Sequence, residues 1–435
     1  MEEKTGYMKV SSYEGKMGEV KKVLLLYSGG LDTSVILKWI QDKYKAKVVT
    51  LTFDLGQQHD DIEKIKQKAL KFGAVKAIAL DVKDEFADEI LAKGIKANAH
   101  YQGDYHLSTP MGRAMMAKKT VEIAKQEGAD TVAHGCTGKG NDQVRIESYI
   151  LAHDPKMQII APVREWGMDR NEEIAYAEKY GIPVPVKKDF PYSVDDNMWG
   201  MTWEGGEIEE PDKIPQIEKF LTTYTLAKNA PEQEGLIKLK FEKGVPVGLN
   251  GKKMKLSSLI MALNGMAGKH GVGVVHLLED RIIGVKSRGV YEMPAAHVII
   301  EAHKALEKYV STKTLNELKS TMDVKWGYLC YGSMWYDPAM DAINAFNDKV
   351  NAKVSGEVTV RLFKGSATVV AMKSPYGLGF SSFNNSAGYD FNVNTSPGFI
   401  EVYSLQMRLA KQLEKAQEKK HGSGVKGKKD FVELG

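Results

Sequence analysis

The sequence predicts an α/β fold: a parallel sheet covered by helices, then a mixed α+β portion, then a C-terminal helix. Three observations carry this reading. Strand-like apolar runs alternate with helical patterns from Val23 to about residue 163. Around residues 183–215 a cluster of prolines and glycines breaks the rhythm, and alternating strands then mix with amphipathic helices. Residues 400–420 place Val402, Leu405, Leu409 and Leu413 on one helical stripe.

The elements follow in chain order. Residues 1–20 carry Gly, Ser and Glu without periodicity and are expected to form a flexible extension. Runs at 23–27, 47–53, 75–80, 130–133 and 158–163 are the expected strands of the first portion. Helical patterns lie between them, as where Ile62, Ile65, Ala69 and Phe72 share one face of 60–73. Strands separated by helices form βαβ units, whose ligands bind at the carboxyl ends of the strands. Strands at 236–242, 357–363 and 366–372, with helices at 253–270, 294–309 and 338–352, fill the second portion. The expected domains are therefore 21–190 and 191–399, followed by an oligomerisation helix at 400–420 and a solvated tail at 421–435.

One turn in the first portion is chemically distinctive. Behind the apolar run 23–26 come Tyr27, Ser28, Gly29, Gly30, Leu31, Asp32, Thr33 and Ser34, and then a helical pattern. Paired glycines let the backbone bend sharply and approach an anion. Asp32, Thr33 and Ser34 fall in the first helical turn, at the positive end of the dipole. The string lacks the GxxxxGK[ST] of the P-loop. It resembles instead the pyrophosphate-binding loop of enzymes that split ATP at the α-phosphate, which makes 21–190 a nucleotide-binding portion.

Bulk properties narrow the field. The chain of 435 residues has 60 basic and 56 acidic residues, a net charge of +4, which gives no reason to invoke nucleic acid. Its two cysteines, Cys136 and Cys330, cannot build a disulfide framework or a four-ligand zinc site. No apolar run approaches a membrane span, and the polar, mixed-charge start is unlike a signal peptide. A cytoplasmic location is expected, with no membrane partner.

A second loop, His134-Gly135-Cys136-Thr137-Gly138-Lys139-Gly140-Asn141-Asp142-Gln143-Val144-Arg145, follows the strand at 130–133. It offers backbone donors for an anion and an arginine suited to a bidentate carboxylate contact. Together the two loops closely resemble the signatures of the argininosuccinate synthase family. Further similar segments are Ala161-Pro162-Val163-Arg164, Tyr192-Ser193-Val194-Asp195-Asp196-Asn197, Ala267-Gly268-Lys269-His270-Gly271-Val272-Gly273, and the stretch from Glu279 to Glu292. They span both expected domains.

The resemblance implies an adenine nucleotide α-hydrolase-like fold and a ligation of citrulline with aspartate that turns ATP into AMP and pyrophosphate through a citrullyl-adenylate. It implies ATP contacts at residues 27–34, Phe53 and Gly135, with Mg²⁺ accompanying the nucleotide. It implies citrulline contacts at Tyr105, Asn141, Arg145, Ser193, Thr202, Glu279 and Tyr291, and aspartate contacts at Thr109, Thr137, Asn141 and Asp142. Thr202 replaces the family's usual serine and keeps the hydroxyl. Residues 108–110 read Ser-Thr-Pro where many relatives carry Gly-Thr-Ser, so Pro110 supplies no hydroxyl and adjacent Thr109 offers one. Family members are usually homotetramers.

Other readings were open to the residues alone. A tRNA-thiolating enzyme would want a reactive cysteine pair and a basic surface, an amidotransferase a glutaminase segment, and a regulatory protein would have lost catalysis. The plainest readings of several residues are structural: His134 as a turn or packing residue, Cys330 as core, Asp195 and Asp196 as helix caps. No general base and no metal-ligand cluster stands out.

Overall fold

The structure, a computed structural model, describes residues 7–57, 61–168, 170–184, 190–378 and 392–421. Residues up to Leu378 group into one compact unit and those from Gly379 into another. The expected tail at 422–435 lies outside the described residues.

The first sheet is parallel, built from β1 (Lys22–Leu26), β2 (Lys47–Asp54), β3 (Lys76–Asp81), β4 (Thr131–Ala133) and β5 (Gln158–Ile160), in the order β3-β2-β1-β4-β5. Strand alternation explains how β1 is buried on both faces. Leu24 and Leu26 enter one apolar cluster with Ala114 and Met115 of the helix Ser108–Glu127. Val23 and Leu25 enter another with Val35 and Trp39 of the helix Leu31–Tyr44. The strand order reverses between β1 and β4, so the turns following those two strands flank a crevice.

The expected loose extension is partly held down. Gly15 N–H donates to the Ile159 carbonyl at 3.0 Å and Ile159 N–H to Tyr13 at 2.9 Å, which lays residues 13–15 along β5. Glu14 is buried and accepts the N–H groups of Val10 and Ser11 at 2.9 Å.

After residue 190 the strands become antiparallel. They are β6 (Ser193–Asn197), β7 (Gly200–Glu204), β8 (Gly235–Glu242), β9 (Val245–Leu249), β10 (Lys252–Lys253), β11 (Val274–Asp280), β12 (Lys286–Glu292), β13 (Gly356–Phe363) and β14 (Ser366–Lys373). One sheet has the order β11-β12-β7-β6 and the other β10-β9-β8-β13-β14. Asp195 and Asp196 do not cap a helix: they lie in β6, paired with Thr202 and Met201. Helices Leu256–Lys269, Pro294–Val310 and Pro338–Asn351 match three expected segments, and the helix Lys313–Tyr331 adds a fourth. In the second unit the 400–420 pattern is two helices, Ser396–Tyr403 and Leu405–His421, separated at Ser404.

Candidate active site

The turn after β1 is fixed at its root by the sheet. Tyr27 N–H donates to the Leu51 carbonyl at 2.9 Å, and the Thr52 hydroxyl donates to the Tyr27 carbonyl at 2.8 Å. Gly29 then adopts φ +78°, and a Cβ there would lie 2.8 Å from Ile65 Cγ1, so both backbone conformation and space call for glycine. Gly30 is extended and starts the helix Leu31–Tyr44 with no side-chain cap. Its leading N–H groups and dipole are thereby directed at the crevice. Lys68 adds a cation behind the bend, donating to the Gly29 carbonyl at 2.5 Å.

Two members of this turn stand off from the main cleft. Ser34 is fully buried, its hydroxyl donating to the Gly30 carbonyl at 2.7 Å and lying 2.9 Å from the Tyr27 hydroxyl. Gly29 faces a shallower recess lined by Asp61, Lys64, Ile65 and Lys68. Ser34 and Gly29 shape the turn, whereas Tyr27, Ser28, Gly30, Leu31, Asp32 and Thr33 line the cleft itself.

The turn after β4 is braced from below. Cys136 N–H donates to His134 Nδ1 at 3.2 Å, which puts the ring proton on Nε2, 2.9 Å from Glu147 Oε1. Arg164 Nη1 lies 2.7 Å from the same oxygen, and the Tyr13 hydroxyl donates to Glu147 Oε2 at 2.8 Å. His134 is thus a strut under the loop, as its plain reading expected. Above it, Gly135, Thr137 and Gly140 line the cleft, and the helix Asn141–His153 begins.

Asn141, Asp142 and Arg145 project from that helix into the cleft. Asn141 donates to the Tyr331 hydroxyl at 2.9 Å and accepts from Ile282 N–H at 2.8 Å. Arg145 Nε and Nη2 both donate to the Tyr331 carbonyl at 3.2 Å, and its guanidinium lies 4.8 Å above the Tyr331 ring. Its Nη1 reaches Asp142 Oδ1 at 3.0 Å. Asp142 Oδ2 is held in turn by Arg113, with Nε at 3.0 Å and Nη2 at 2.7 Å. Burial opposes charge on Asp142, but the two guanidiniums prevail and hold its carboxyl below the usual carboxylate range.

The opposite wall is the four-stranded sheet. Ser193 pairs with Glu204, Asp195 with Thr202, and Thr202 with Tyr291. Residues two apart on a strand share a face, so Ser193 and Asp195 stand beside Thr202 and Glu204. Thr202 Oγ1 lies 3.2 Å from Thr109 Oγ1 at the start of the helix Ser108–Glu127, and the Tyr105 ring packs 4.3 Å from that of Tyr291. Glu204 is paired with Arg281 at 2.9 Å. Burial raises the Glu204 and Glu279 carboxyls above their ordinary range, and the negative charges of Asp142 and Asp195 add to the rise at Glu204. Glu279 Oε2 is buried without a hydrogen-bond partner among the described residues.

Phe53, Thr109 and these groups enclose one cleft of about 810 Å³. It brings together every sequence-predicted site residue except Gly29 and Ser34. It also contains Arg113, Glu204, Arg281 and Tyr331, which had no assigned role, and Asp195, which had been read only as a helix cap. Helical spacing signals Arg113, one turn beyond Thr109, and strand alternation signals Glu204, two beyond Thr202.

Comparison with known proteins decides the family. Residues 22–183 match the model described as the arginosuccinate synthase N-terminal HUP domain, and residues 192–410 the arginosuccinate synthase C-terminal domain. The chain belongs to the argininosuccinate synthase family. Argininosuccinate synthase of Pyrococcus furiosus is 49% identical over 392 residues, covering 89% of this chain and 94% of that one. The Symbiobacterium thermophilum enzyme is 46% identical over 401 residues, covering 91% and 99%. Among solved structures, a 4-thiouridine synthetase–RNA complex with bound ATP covers 38% of this chain and 42% of that one, at 20% identity and a TM-score of 0.29, a likeness that carries no argument. In this member of the argininosuccinate synthase family, the two matched segments meet the cleft from its two walls, the turns after β1 and β4 on one side and the β6–β7–β12 face on the other.

Proposed function

We propose that this cleft joins citrulline to aspartate, converting ATP to AMP and pyrophosphate through a citrullyl-adenylate, in arginine biosynthesis. The observation that carries the reading is the meeting, in one cleft, of the capless helix start at Gly30 and a wall of paired carboxylates, arginines and hydroxyls. The first suits a polyphosphate and the second suits two amino acids.

ATP is assigned to Tyr27, Ser28, Gly30, Leu31, Asp32, Thr33, Phe53 and Gly135, with Gly29 and Ser34 shaping the turn. Citrulline is assigned to Tyr105, Asn141, Arg145, Ser193, Thr202, Glu279 and Tyr291, and aspartate to Thr109, Thr137, Asn141 and Asp142. The ureido oxygen of citrulline attacks the α-phosphorus, and the bond to the β-phosphate oxygen breaks as pyrophosphate leaves. The aspartate amine, its ammonium proton given up to solvent, then attacks the ureido carbon; it passes one N–H proton to the departing phosphate and keeps the other as the carbon–oxygen bond to AMP breaks. Fixed N–H donors at the Gly30 helix start face the leaving pyrophosphate, so positioning and electrostatics supply most of the acceleration. Mg²⁺ bound with the nucleotide would add charge neutralisation at the phosphates. The hard oxygens of Asp32, Ser28 and Thr33 on the cleft wall are a donor set that suits it.

Asp142 does not serve as the base. Both its oxygens already accept from guanidinium groups, so its role is that of a fixed negative charge facing an ammonium. The assignment also carries a homotetramer, with the 400–420 segment at the subunit contact, and a cytoplasmic location. No described helix is long and apolar enough to cross a membrane.

The test is pyrophosphate release from ATP with citrulline and aspartate supplied singly and together. Formation of AMP and argininosuccinate only when both are present is expected. ATP consumption indifferent to citrulline overturns the assignment.

A further inference from the structure

We propose that Arg113 is a positioning residue that keeps Asp142 ionised and ties it across the cleft to the β6 strand. The inference rests on the reading of Asp142 as an aspartate contact. Arg113 sits one turn into the helix Ser108–Glu127, with its side chain only 14% exposed. Three of its contacts are charge-assisted: Nε and Nη2 to Asp142 Oδ2, and Nη2 to Asp195 Oδ2. Its remaining nitrogen, Nη1, points at Met116 Sδ at 3.4 Å. Four of the five guanidinium N–H groups are therefore engaged by the protein, which leaves a single Nη1 proton and no two-pronged fork for a substrate. That distinguishes it from a ligand-binding arginine.

Its partners explain why it matters. Asp142 is on the helix that follows β4, and Asp195 is on β6 in register with Thr202. One guanidinium thus joins three elements that the chain reaches 82 residues apart, from Arg113 to Asp195. Asp195 has no second cation among the described residues, whereas Asp142 also has Arg145. Around Asp142 stand Arg113 from its helix, Arg145 from the next turn of Asp142's own helix, Asp195 from β6, and Glu204 from β7 with its partner Arg281. With Arg113 neutralised, Asp142 would keep Arg145 alone, beside an Asp195 stripped of its cation, while Glu204 stays offset by Arg281. The Asp142 carboxyl would then rise in pKa and turn away from an incoming ammonium.

A planar fork is needed because Nε and Nη2 converge on one oxygen while Nη2 also serves another carboxylate. Lysine conserves the charge and loses that geometry. The two variants therefore separate charge from position.

The experiment uses the full chain and two assays. Citrulline-dependent exchange of labelled pyrophosphate into ATP, without aspartate, reads the first step, and aspartate titrations between pH 5 and 8 read the second. Arg113→Gln is expected to keep exchange within about threefold, to raise the aspartate KM by about 10- to 100-fold, and to bring in an acid limb above pH 5. Arg113→Lys is expected to abolish that acid limb while restoring only part of the KM. Equal loss of exchange and aspartate use in both variants, the mark of a merely structural residue, overturns the proposal. So does an aspartate KM within threefold of wild type in Arg113→Gln. Asp142→Asn is the separate control: an unmoved aspartate KM there defeats the reading of Asp142, whereas a raised KM there with an unmoved Arg113→Gln defeats the role of Arg113 alone.

Discussion

Gly29→Ala puts the phosphate turn under a load that the structure quantifies. At φ +78° an alanine takes on the left-handed penalty of about 1–2 kcal/mol. Its Cβ would also stand 2.8 Å from Ile65 Cγ1 and 3.1 Å from Cγ2, with Ile65 Cβ at an ordinary 3.4 Å. Overpacking of that kind costs about 1–3 kcal/mol. The turn sits at the cleft surface, so it relieves the load by moving, which draws its N–H groups off the phosphate. A displacement that forfeits about 1.4–2.8 kcal/mol of binding raises the ATP KM by about 10- to 100-fold. The assay is initial-rate pyrophosphate release against ATP, repeated in an Ile65→Ala background, with urea unfolding alongside. Ile65→Ala removes both crowding carbons and leaves only the backbone penalty, so the effect of Gly29→Ala on ATP should shrink by at least threefold there. An equal effect in both backgrounds refutes the packing argument. An unchanged ATP KM in the single variant refutes the role of the turn.

Three further outcomes follow from other contacts. Glu292, 1% exposed, accepts N–H groups from Thr222, Thr223 and Tyr224 and the indole of Trp203 at 2.7–3.2 Å. Glu292→Gln turns a donor toward those donors and should cost about 3–5 kcal/mol in urea unfolding, and a loss under about 1 kcal/mol would contradict it. Arg145→Lys loses the two-pronged grip on the Tyr331 carbonyl, so the citrulline KM should rise about tenfold or more with the ATP KM steady, and a parallel rise in both would count against it. Burial pushes Asp323 up to about 6 against the pull of Lys319. A raised carboxyl stabilises the fold at low pH and loses that contribution as pH rises through about 6. The Tm of Asp323→Asn should therefore gain on wild type between pH 4 and 7, and a constant difference refutes the shift.

The parallel sheet was legible because its strands are continuous apolar runs, and both functional turns follow such runs at the carboxyl ends of β1 and β4. The four-stranded sheet was not legible. In β6 the sequence Ser-Val-Asp-Asp-Asn has a single apolar residue, Val194, so it shows no apolar face and imitates a cap rather than a strand. The same polarity conceals β7, where Thr202 and Glu204 occupy the face that a solvated strand would also make polar. The helix Lys313–Tyr331 escaped because its buried residues include Lys319 and Asp323, which a hydrophobic pattern counts as exposed. Its last residue, Tyr331, stacks 3.7 Å from Tyr101 and presents its carbonyl to Arg145. Contacts across such sequence distances have no local signature.

Pro110 shows how a proline is accommodated beside the cleft. The helix Ser108–Glu127 starts after Leu107, whose φ of +60° turns the chain, and Pro110 is its third residue. N–H groups in a first turn have no carbonyl to reach, so proline there forfeits no hydrogen bond and its fixed φ favours the helix. Pro110 brings no hydroxyl, and the turn is held without one: Thr109 N–H lies 3.3 Å from the Tyr105 hydroxyl and Thr109 Oγ1 reaches Thr202 across the cleft. Of two hydroxyls 3.2 Å apart, one donates to the other, which leaves one proton and several lone pairs for a ligand. Thr202 carries a methyl beside its hydroxyl, which restricts its rotamer. The pair is therefore a more rigid device than a lone serine hydroxyl. Arg113, one turn further along the same helix face, holds the carboxylates beside it.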